Sequence, residues 1–381
     1  MTINNEHKKL NVPNLRFKEF QGEWEKCKLG DYGKVVTGNT PPTKDIENYE
    51  NGTYLWASPA DLGTIKSITE TKTMLSAQGF SKTRTLPKGS VLVTCIGSTI
   101  GKAGMATKEM STNQQINSIV VNDNNDNEFV YYAIQSAFPR YLSSIAVQAV
   151  PIISKSAFEM LPNKRSCLQE QKKIGKFLSL LDERIATQNK IIDDLQSLIK
   201  GISSRIFASI QGIEYRMGDI ASITNGDSNV QDAVTEPKDG LYPFFDRSED
   251  IKYLSTYLFD KEAIIYPGEG AEFSPRYFKG KFALHQRCYA IFDFNEIINA
   301  QYLYFYLKTQ NSYFVRNAVG STVPSLRLDT FQKLKVVIPP KKIQYSVSLC
   351  LSSMEQKFNV ENEILQMLLK QKQYLLRQMF I

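Results

Sequence analysis

Two short strings resemble loops that hold phosphates or cofactors. Gly97-Ser-Thr-Ile-Gly101-Lys102 sets two glycines before a lysine, as a nucleotide-phosphate loop does when its backbone N–H groups cradle the phosphates. It is one residue short, and Ala103 stands where a Ser or Thr would hold magnesium. Gly268-Glu-Gly270 lacks the third glycine of a dinucleotide fingerprint. Both are read as turns. Histidine chemistry has almost no material, since only His7, in a polar tail, and His285, in an expected strand, occur. Asp246, Glu249 and Asp250 could surround a cation, but they read better as a solvated turn. Adenine methyltransferases hold a flipped base with an Asn-Pro-Pro-aromatic string. The nearest approach to it is Ile338-Pro-Pro-Lys341, which suits a helix entry. The chain is therefore expected not to be an enzyme, and to bind no metal or cofactor itself.

Five cysteines, Cys27, Cys95, Cys167, Cys288 and Cys350, are odd in number and widely spaced. They suggest neither a disulfide framework nor a zinc site, and fit a reducing cytoplasm. Met1 to Leu10 is too polar for a signal peptide, and no apolar run approaches membrane-span length. The formal charge of +7 favours a polyanionic partner without identifying one. A length of 381 residues allows two domains and additional helix.

Self-similarity supplies the organisation. Leu29-Gly30-Asp31 with Gly38 recurs 188 residues later as Met217-Gly218-Asp219 with Gly226, and the pairs Gly52/Gly240, Tyr54/Tyr242 and Trp56/Phe244 keep that offset. Further along the offset is 173, through Gly97/Gly270, Tyr131/Tyr304, Pro151/Pro324, Phe158/Phe331 and Phe207/Phe380. A deletion of about 15 residues, placed between positions 250 and 270, accounts for the change. Each copy opens with an aromatic, β-rich stretch. Buried strands are expected at Ser90–Ile96 and Ala263–Tyr266, and short helices at Glu128–Ser136 and Gln301–Lys308.

A long helix follows each stretch. Ile174, Leu178, Leu181, Ile185, Gln188, Ile192, Leu195, Ile199, Ile202 and Ile206 alternate at spacings of 4 and 3. Val347, Leu351, Met354, Phe358, Glu361, Leu365, Leu368, Lys372, Leu375 and Met379 repeat the register. These are the a and d positions of a coiled-coil seam, with Gln188 and Glu361 as its matched polar members. Pro162 and a Ser166-x-x-Gln169 capping box are expected to start the first helix, and Pro339-Pro340 the second. A homodimer zipper is the simple reading. Two matched seams in one chain instead favour antiparallel pairing with each other, giving a pseudo-two-fold axis. A 33-residue seam spans about 50 Å, more than one turn of B-DNA.

The expected fold class is α+β, with two β-rich domains and two paired long helices. The expected parts are a polar tail (1–14), a first domain (15–161) with its helix (162–208), and a second domain (209–340) with its helix (341–381). This plan resembles the specificity subunit of type I restriction-modification systems. The resemblance rests on Trp24-x4-Leu29-Gly-Asp31 with Val36-Thr-Gly-x-Thr-Pro41, on Leu86-Pro-Lys-Gly-Ser-Val-Leu92 with Ile100-Gly-Lys102, and on Thr112-Asn-Gln-Gln115. It continues through Pro324-x-Leu326, Phe331 and Ile338-Pro-Pro340. The second copy departs from the pattern at Asp227-Ser-Asn-Val230 and Leu284-His-Gln-Arg287.

The resemblance implies that each domain reads one half of a split, asymmetric double-stranded DNA site, with the helices setting the gap. Two methyltransferase subunits carrying S-adenosylmethionine would modify adenine, and motor-nuclease subunits using ATP and Mg would cleave. An adaptor protein built on the coiled coil is the alternative. Phosphate and base contacts require basic and polar side chains. The candidates are Lys44, Lys66, Lys82, Arg84 and Lys102 in the first domain, and Arg247, Arg276, Lys279, Arg287, Arg316 and Arg327 in the second, near Tyr49, Tyr54, Phe273 and Tyr277. Arg84, Arg247 and Arg276 are favoured because turn residues flank them.

Overall fold

The computed structural model describes residues 11–63, 65–144 and 152–381. His7 and Pro151 lie outside them. The chain divides into two compact units: residues 1–189 with 364–381, and residues 190–363. Each unit thus contains one β-rich head and a piece of both long helices.

In the first head, β1 (Glu25–Lys28), β2 (Gly33–Thr37), β3 (Tyr54–Ala57), β4 (Ser67–Ile68) and β5 (Thr73–Leu75) precede α1 (Ala77–Ser81). Then come β6 (Val91–Thr94), β7 (Ala103–Ala106), β8 (Ser111–Thr112), β9 (Ile116–Val121), α2 (Asn127–Ser144), α3 (Lys155–Glu159), β10 (Pro162–Arg165) and α4 (Leu168–Ser209). The strands form sheets β2-β9-β6-β7-β4, β5-β3-β8 and β1-β10. All four residues of β6 are buried, as expected for a central strand covered on both faces. α2 packs Phe129, Val130, Tyr132 and Ala133 into the same core as Val91 and Val93.

The second head repeats the order with β11 (Ile213–Arg216), α5 (Met217–Ile220), β12 (Ser222–Asn225), β13 (Tyr242–Phe245), β14 (Lys252–Leu254), β15 (Phe259–Pro267), β16 (Arg276–Leu284) and β17 (Cys288–Phe292). α6 (Ala300–Lys308), α7 (Asn311–Asn317), α8 (Leu328–Lys333), β18 (Lys335–Ile338) and α9 (Lys341–Met379) complete it. β16 runs unbroken where β7 and β8 are separate, so one six-stranded sheet, β12-β17-β15-β16-β13-β14, replaces two.

Strand register relocates the deletion. Tyr54 faces Leu75 as Tyr242 faces Leu254, an offset already down to 179 at β14. Most of the loss therefore lies upstream of position 250, in the β13–β14 connection, where the first head carries β4. Two boundaries also differ from the sequence reading. Pro162 opens strand β10, which pairs with β1, and the first long helix begins only at Leu168. The Ser166–Gln169 capping box does not form. Instead, Ser166 is buried and Gln171, 1% exposed, donates through Nε2 to the Ser166 carbonyl (2.8 Å) and to Asn125 Oδ1 (3.2 Å). Its Oε1 accepts from the Asp126 N–H at 3.0 Å. Gln344, also 1% exposed, donates to Pro339 and Ile297 carbonyls (both 2.8 Å) and accepts from the Asn299 N–H (2.7 Å). One glutamine per copy thus ties helix entry to head.

All twenty seam residues are buried or half-buried. Within the first unit Ile174, Leu178 and Leu181 of α4 share a core with Leu375 and Met379 of α9, and Lys372 pairs with Asp182 at 2.7 Å. Within the second, Ile202 and Ile206 of α4 pack with Val347, Leu351 and Met354 of α9. The start of one helix meets the end of the other in both units, which makes the pairing antiparallel.

Candidate nucleic-acid interface

A recognition surface needs segments that a rigid frame holds still while their side chains remain free to vary. Both heads contain such a set. In the first, the Gly38 N–H donates to Ile116 O (3.1 Å), Asn39 N–H to Thr112 O (2.9 Å) and Asn113 N–H to Ala57 O (2.9 Å). Cys95 N–H donates to Gln115 O (2.8 Å) and Ile153 N–H to Cys95 O (2.8 Å). The second head makes the matching five bonds: Gly226 to Cys288 (3.2 Å), Ser228 to Leu284 (3.1 Å), His285 to Phe245 (2.9 Å), Gly268 to Arg287 (2.9 Å) and Leu326 to Gly268 (2.7 Å). Five loop segments, following β2, β3, β6, β8 and α2, are thereby tied together at one end of the first head. Their counterparts are tied together in the second.

Glycine marks the tightest point. A Cβ on Gly38 would lie 2.2 Å from the carbonyl oxygens of Thr112 and Asn113, and one on Gly226 would lie 2.0 Å from Leu284 O. The Gly97–Gly101 string is a turn between β6 and β7, with both glycines at positive φ (88° and 89°). Gly268–Gly270 likewise follows the end of β15, with Gly270 at φ 147°.

In the first head, exposed Arg84 donates through Nη1 to Thr37 O (2.8 Å), and its N–H is held by Asn39 Oδ1 (2.8 Å). Asn39 Nδ2 donates to Lys82 O (2.9 Å). The Lys82 ammonium reaches Asn48 Oδ1 (2.9 Å) and lies 3.6 Å from Asp45. Exposed Lys44 sits on the loop after β2, and exposed Lys102 closes the 97–101 turn. Tyr54 stacks on Phe80 at 4.4 Å, and the Tyr49 hydroxyl donates to Pro41 O.

Lys66 is different. Its ammonium donates to Glu128 (2.7 Å) and to Ser179 Oγ (2.8 Å) on α4, and its side chain is 11% exposed. It joins β4, α2 and α4 and does not belong to the recognition segments.

In the second head Arg247 and Arg287 converge on Glu269, at 3.8 and 2.8 Å, with side chains 68% and 61% exposed. Arg276 is half-buried, donates to Ser248 O and lies 6.0 Å over the Phe245 ring. Its Nη1 is buried without a hydrogen-bond partner among the described residues. The turn-flanked arginine expected from sequence is therefore an anchored strand residue, because Arg276 opens strand β16 opposite Ile265. Exposed Lys279 faces Glu262 across the β15–β16 pair, Arg316 lies in the last turn of α7, and Arg327 is the N-cap residue of α8. Phe273 is core, and Tyr277 donates its hydroxyl to Glu262.

Asp246 is not a solvated turn residue. It is 6% exposed, accepts from Ser248 and binds the Lys252 ammonium at 2.6 Å. Burial alone would raise its carboxyl pKa, but Lys252 and the Ser248 hydrogen bonds together hold it below the usual range. His285 is held below its ordinary value by burial, which outweighs the pull of Asp246. Sequence reading missed Asn39, Gln114, Gln115 and Glu269, which are neutral or acidic and escaped a search for cations. No cluster that could hold a metal occurs among the described residues.

A protein with two such frames in one chain, each packed against the paired helices, is a two-headed recognition protein. A profile described as the type I restriction modification DNA specificity domain matches residues 21–197 and again 213–370. The chain belongs to this family. It is 23% identical to the type I restriction enzyme MjaIX specificity subunit of Methanocaldococcus jannaschii, covering 90% of this chain and 89% of that one. Its fold is similar to the type I restriction-modification S subunit from M. genitalium (TM-score 0.68, 19% identity, 97% and 99% of the two chains). It also resembles a chain from a structure of type I R-M assembly and conformational transition (TM-score 0.56, 15% identity, 93% and 96% covered). No described helix is long and apolar enough to cross a membrane.

Proposed function

We propose that this chain reads DNA for a type I restriction-modification complex, each head contacting one half of a bipartite, asymmetric site. The observation that carries this reading is the repeated set of five matched backbone hydrogen bonds. It holds the same segments in both heads, while Asn39, Asn113, Gln115 and Arg84 are replaced by Ser228, His285, Arg287 and a different set of arginines. A constant frame with divergent side chains is what two readers of different half-sites require.

In this proposal catalysis belongs to partners in the cytoplasm. Two methyltransferase subunits hold S-adenosylmethionine and modify adenine on opposite strands, and motor-nuclease subunits using ATP and Mg cut unmodified DNA. This chain supplies double-stranded DNA selection.

The test is co-expression with the methyltransferase subunit, followed by modification-sensitive sequencing. Methylated adenine in a two-part motif is expected, and exchanging residues 15–161 for another such domain should change one half only. A soluble complex that leaves DNA unmodified, and whose DNA affinity lacks a steep log-log dependence on salt, would sink the reading in favour of a protein adaptor.

A further inference from the structure

The two heads differ in side-chain chemistry where β6 and β15 lead out of their sheets. Ile96 bridges to Ile152, and Glu269 bridges to Ser325, so Glu269 occupies the place of Ile96. The carbonyl partners of the preceding residues, Gln115 and Arg287, correspond in the same way. At one spot an apolar residue and an amide in the first head have become an acid and a guanidinium in the second. Arg287 Nη1 meets both oxygens of Glu269 (2.8 and 3.1 Å), and Arg247, from the loop after β13, reaches the same carboxylate. The carboxylate is 16% exposed, while both arginines are mostly exposed. Among the described residues the Arg287 guanidinium makes no other hydrogen bond, and Arg247 meets the carboxylate only as an ion pair at 3.8 Å. A largely buried acid at the root of two outward arginines costs desolvation unless both stay close to it, so it restricts where their forks can lie.

We propose that Arg247 and Arg287 are the base-reading residues of the second head, that they read guanine, and that Glu269 is their positioning residue. This rests on the DNA-reading function proposed above. The planar fork of arginine matches guanine O6 and N7 in the major groove, the commonest specific pairing, whereas an amide such as Gln115 matches adenine N6 and N7. An arginine serving only phosphates would need no fixed fork.

The experiment determines the wild-type motif and assigns its halves by exchanging the first head. The purified chain–methyltransferase complex is then bound to duplexes substituted at each position of the second half. Guanine is expected in that half. Arg287→Lys keeps the charge and loses the fork, so it should cut discrimination at one guanine by about 5- to 100-fold and leave the first half and the salt dependence unchanged. Arg247→Lys should act alike at a G·C pair, and Glu269→Gln should weaken discrimination at the same positions. A second half without guanine overturns the inference while the two-headed function stands. Lysine variants that bind every duplex with unchanged ranking also overturn it, assigning the arginines to phosphates. A wild-type complex with no bipartite motif overturns the function itself.

Discussion

The two heads share a frame but not the side chains that complete it. In the first, the Tyr32 hydroxyl on the turn before β2 donates to Lys164 O (3.1 Å). In the second, Ile220 stands at that place, and Tyr302 from α6 donates to the equivalent carbonyl of Val337 (2.8 Å). Tyr141 serves Pro162 O (2.7 Å), whereas Tyr306, a full helix away from Tyr141's counterpart Phe314, serves Lys335 O (2.9 Å). Both strand carbonyls keep a hydroxyl donor, but each donor has moved to another element. Where backbone meets backbone the residue itself persists: an added Cβ on Gly38 or on Gly226 would lie 2.2 and 2.0 Å from backbone carbonyl oxygens. Drift is free where several side chains can satisfy one carbonyl, and blocked where only a missing Cβ fits.

The largest test of this comparison concerns the helix ends. Phe380, from the second copy's helix, packs against Phe129 (5.4 Å) and Trp24 (6.0 Å) of the first head. Phe207, from the first copy's helix, packs against Tyr302 (5.6 Å) and Tyr306 (5.5 Å) of the second. Phe380→Ala should destabilise the first head by about 3–5 kcal/mol, the usual range for a buried Phe, and Phe207→Ala the second by somewhat less because it is half-buried. Hydrogen exchange resolved by peptide checks it. If each variant loosens the head of its own copy, the exchange of helix ends is wrong.

Next in size are the buried glutamines. Gln344→Met keeps volume but strands the Asn299 N–H and the Pro339 and Ile297 carbonyls. About 2–4 kcal/mol should be lost, since each buried group left unpaired costs about 1–3 kcal/mol and some will find water. Gln171→Met should cost a similar amount in the first head. Denaturant unfolding measures both. A near-neutral result in one head alone would show that the two helix entries are not equivalent.

These glutamines also mark the limit of what the sequence shows. The heptad seams, the two offsets and the turn character of Gly97–Lys102 were legible because periodicity and duplication are properties of letters along a line. The latch was not: Gln171 lies inside a helical run, and its partners Asn125 and Asp126 are 46 and 45 positions away. The start of α4 was misplaced because Pro162 suits a helix entry, while its pairing with Lys28 in β1 is non-local. Among the basic candidates, charge alone could not separate Lys66, neutralised inside the fold, from Arg247 or Arg287 at its surface. Pairing partners decide that distinction, and Glu128 and Glu269 are distant in sequence from the cations they hold.

The exchanged hydroxyls allow a smaller test. Tyr32→Phe and Tyr302→Phe each remove one donor from a strand carbonyl, with an expected loss of about 1–2 kcal/mol. Adding Phe129→Tyr to Tyr32→Phe places a hydroxyl where the second head carries one, and should recover part of the loss. Absence of recovery, with the fold intact by circular dichroism, would show that the rings and not their hydroxyls set the two solutions.

The smallest expected difference is one of pH. His285 N–H anchors to Phe245 O, and its Nδ1 accepts from the Arg287 N–H (3.2 Å), which requires an unprotonated nitrogen. Burial lowers its pKa below the ordinary value, so the unfolded chain binds the proton more readily than the folded one. The stabilisation is therefore complete above about pH 6.5, the unfolded value, and is lost as pH falls through the lower folded value. Asn113 holds the matching place in the first head, donating its N–H to Ala57 O, and it does not titrate. Between pH 7 and pH 5, exchange protection of the β16–β17 turn should fall while that of the β8–β9 turn holds. His285→Asn should remove the difference. An unchanged pH response in that variant would show that His285 is not its source; Asp246 does not supply it either, because its folded pKa is depressed and its own loss lies below that window.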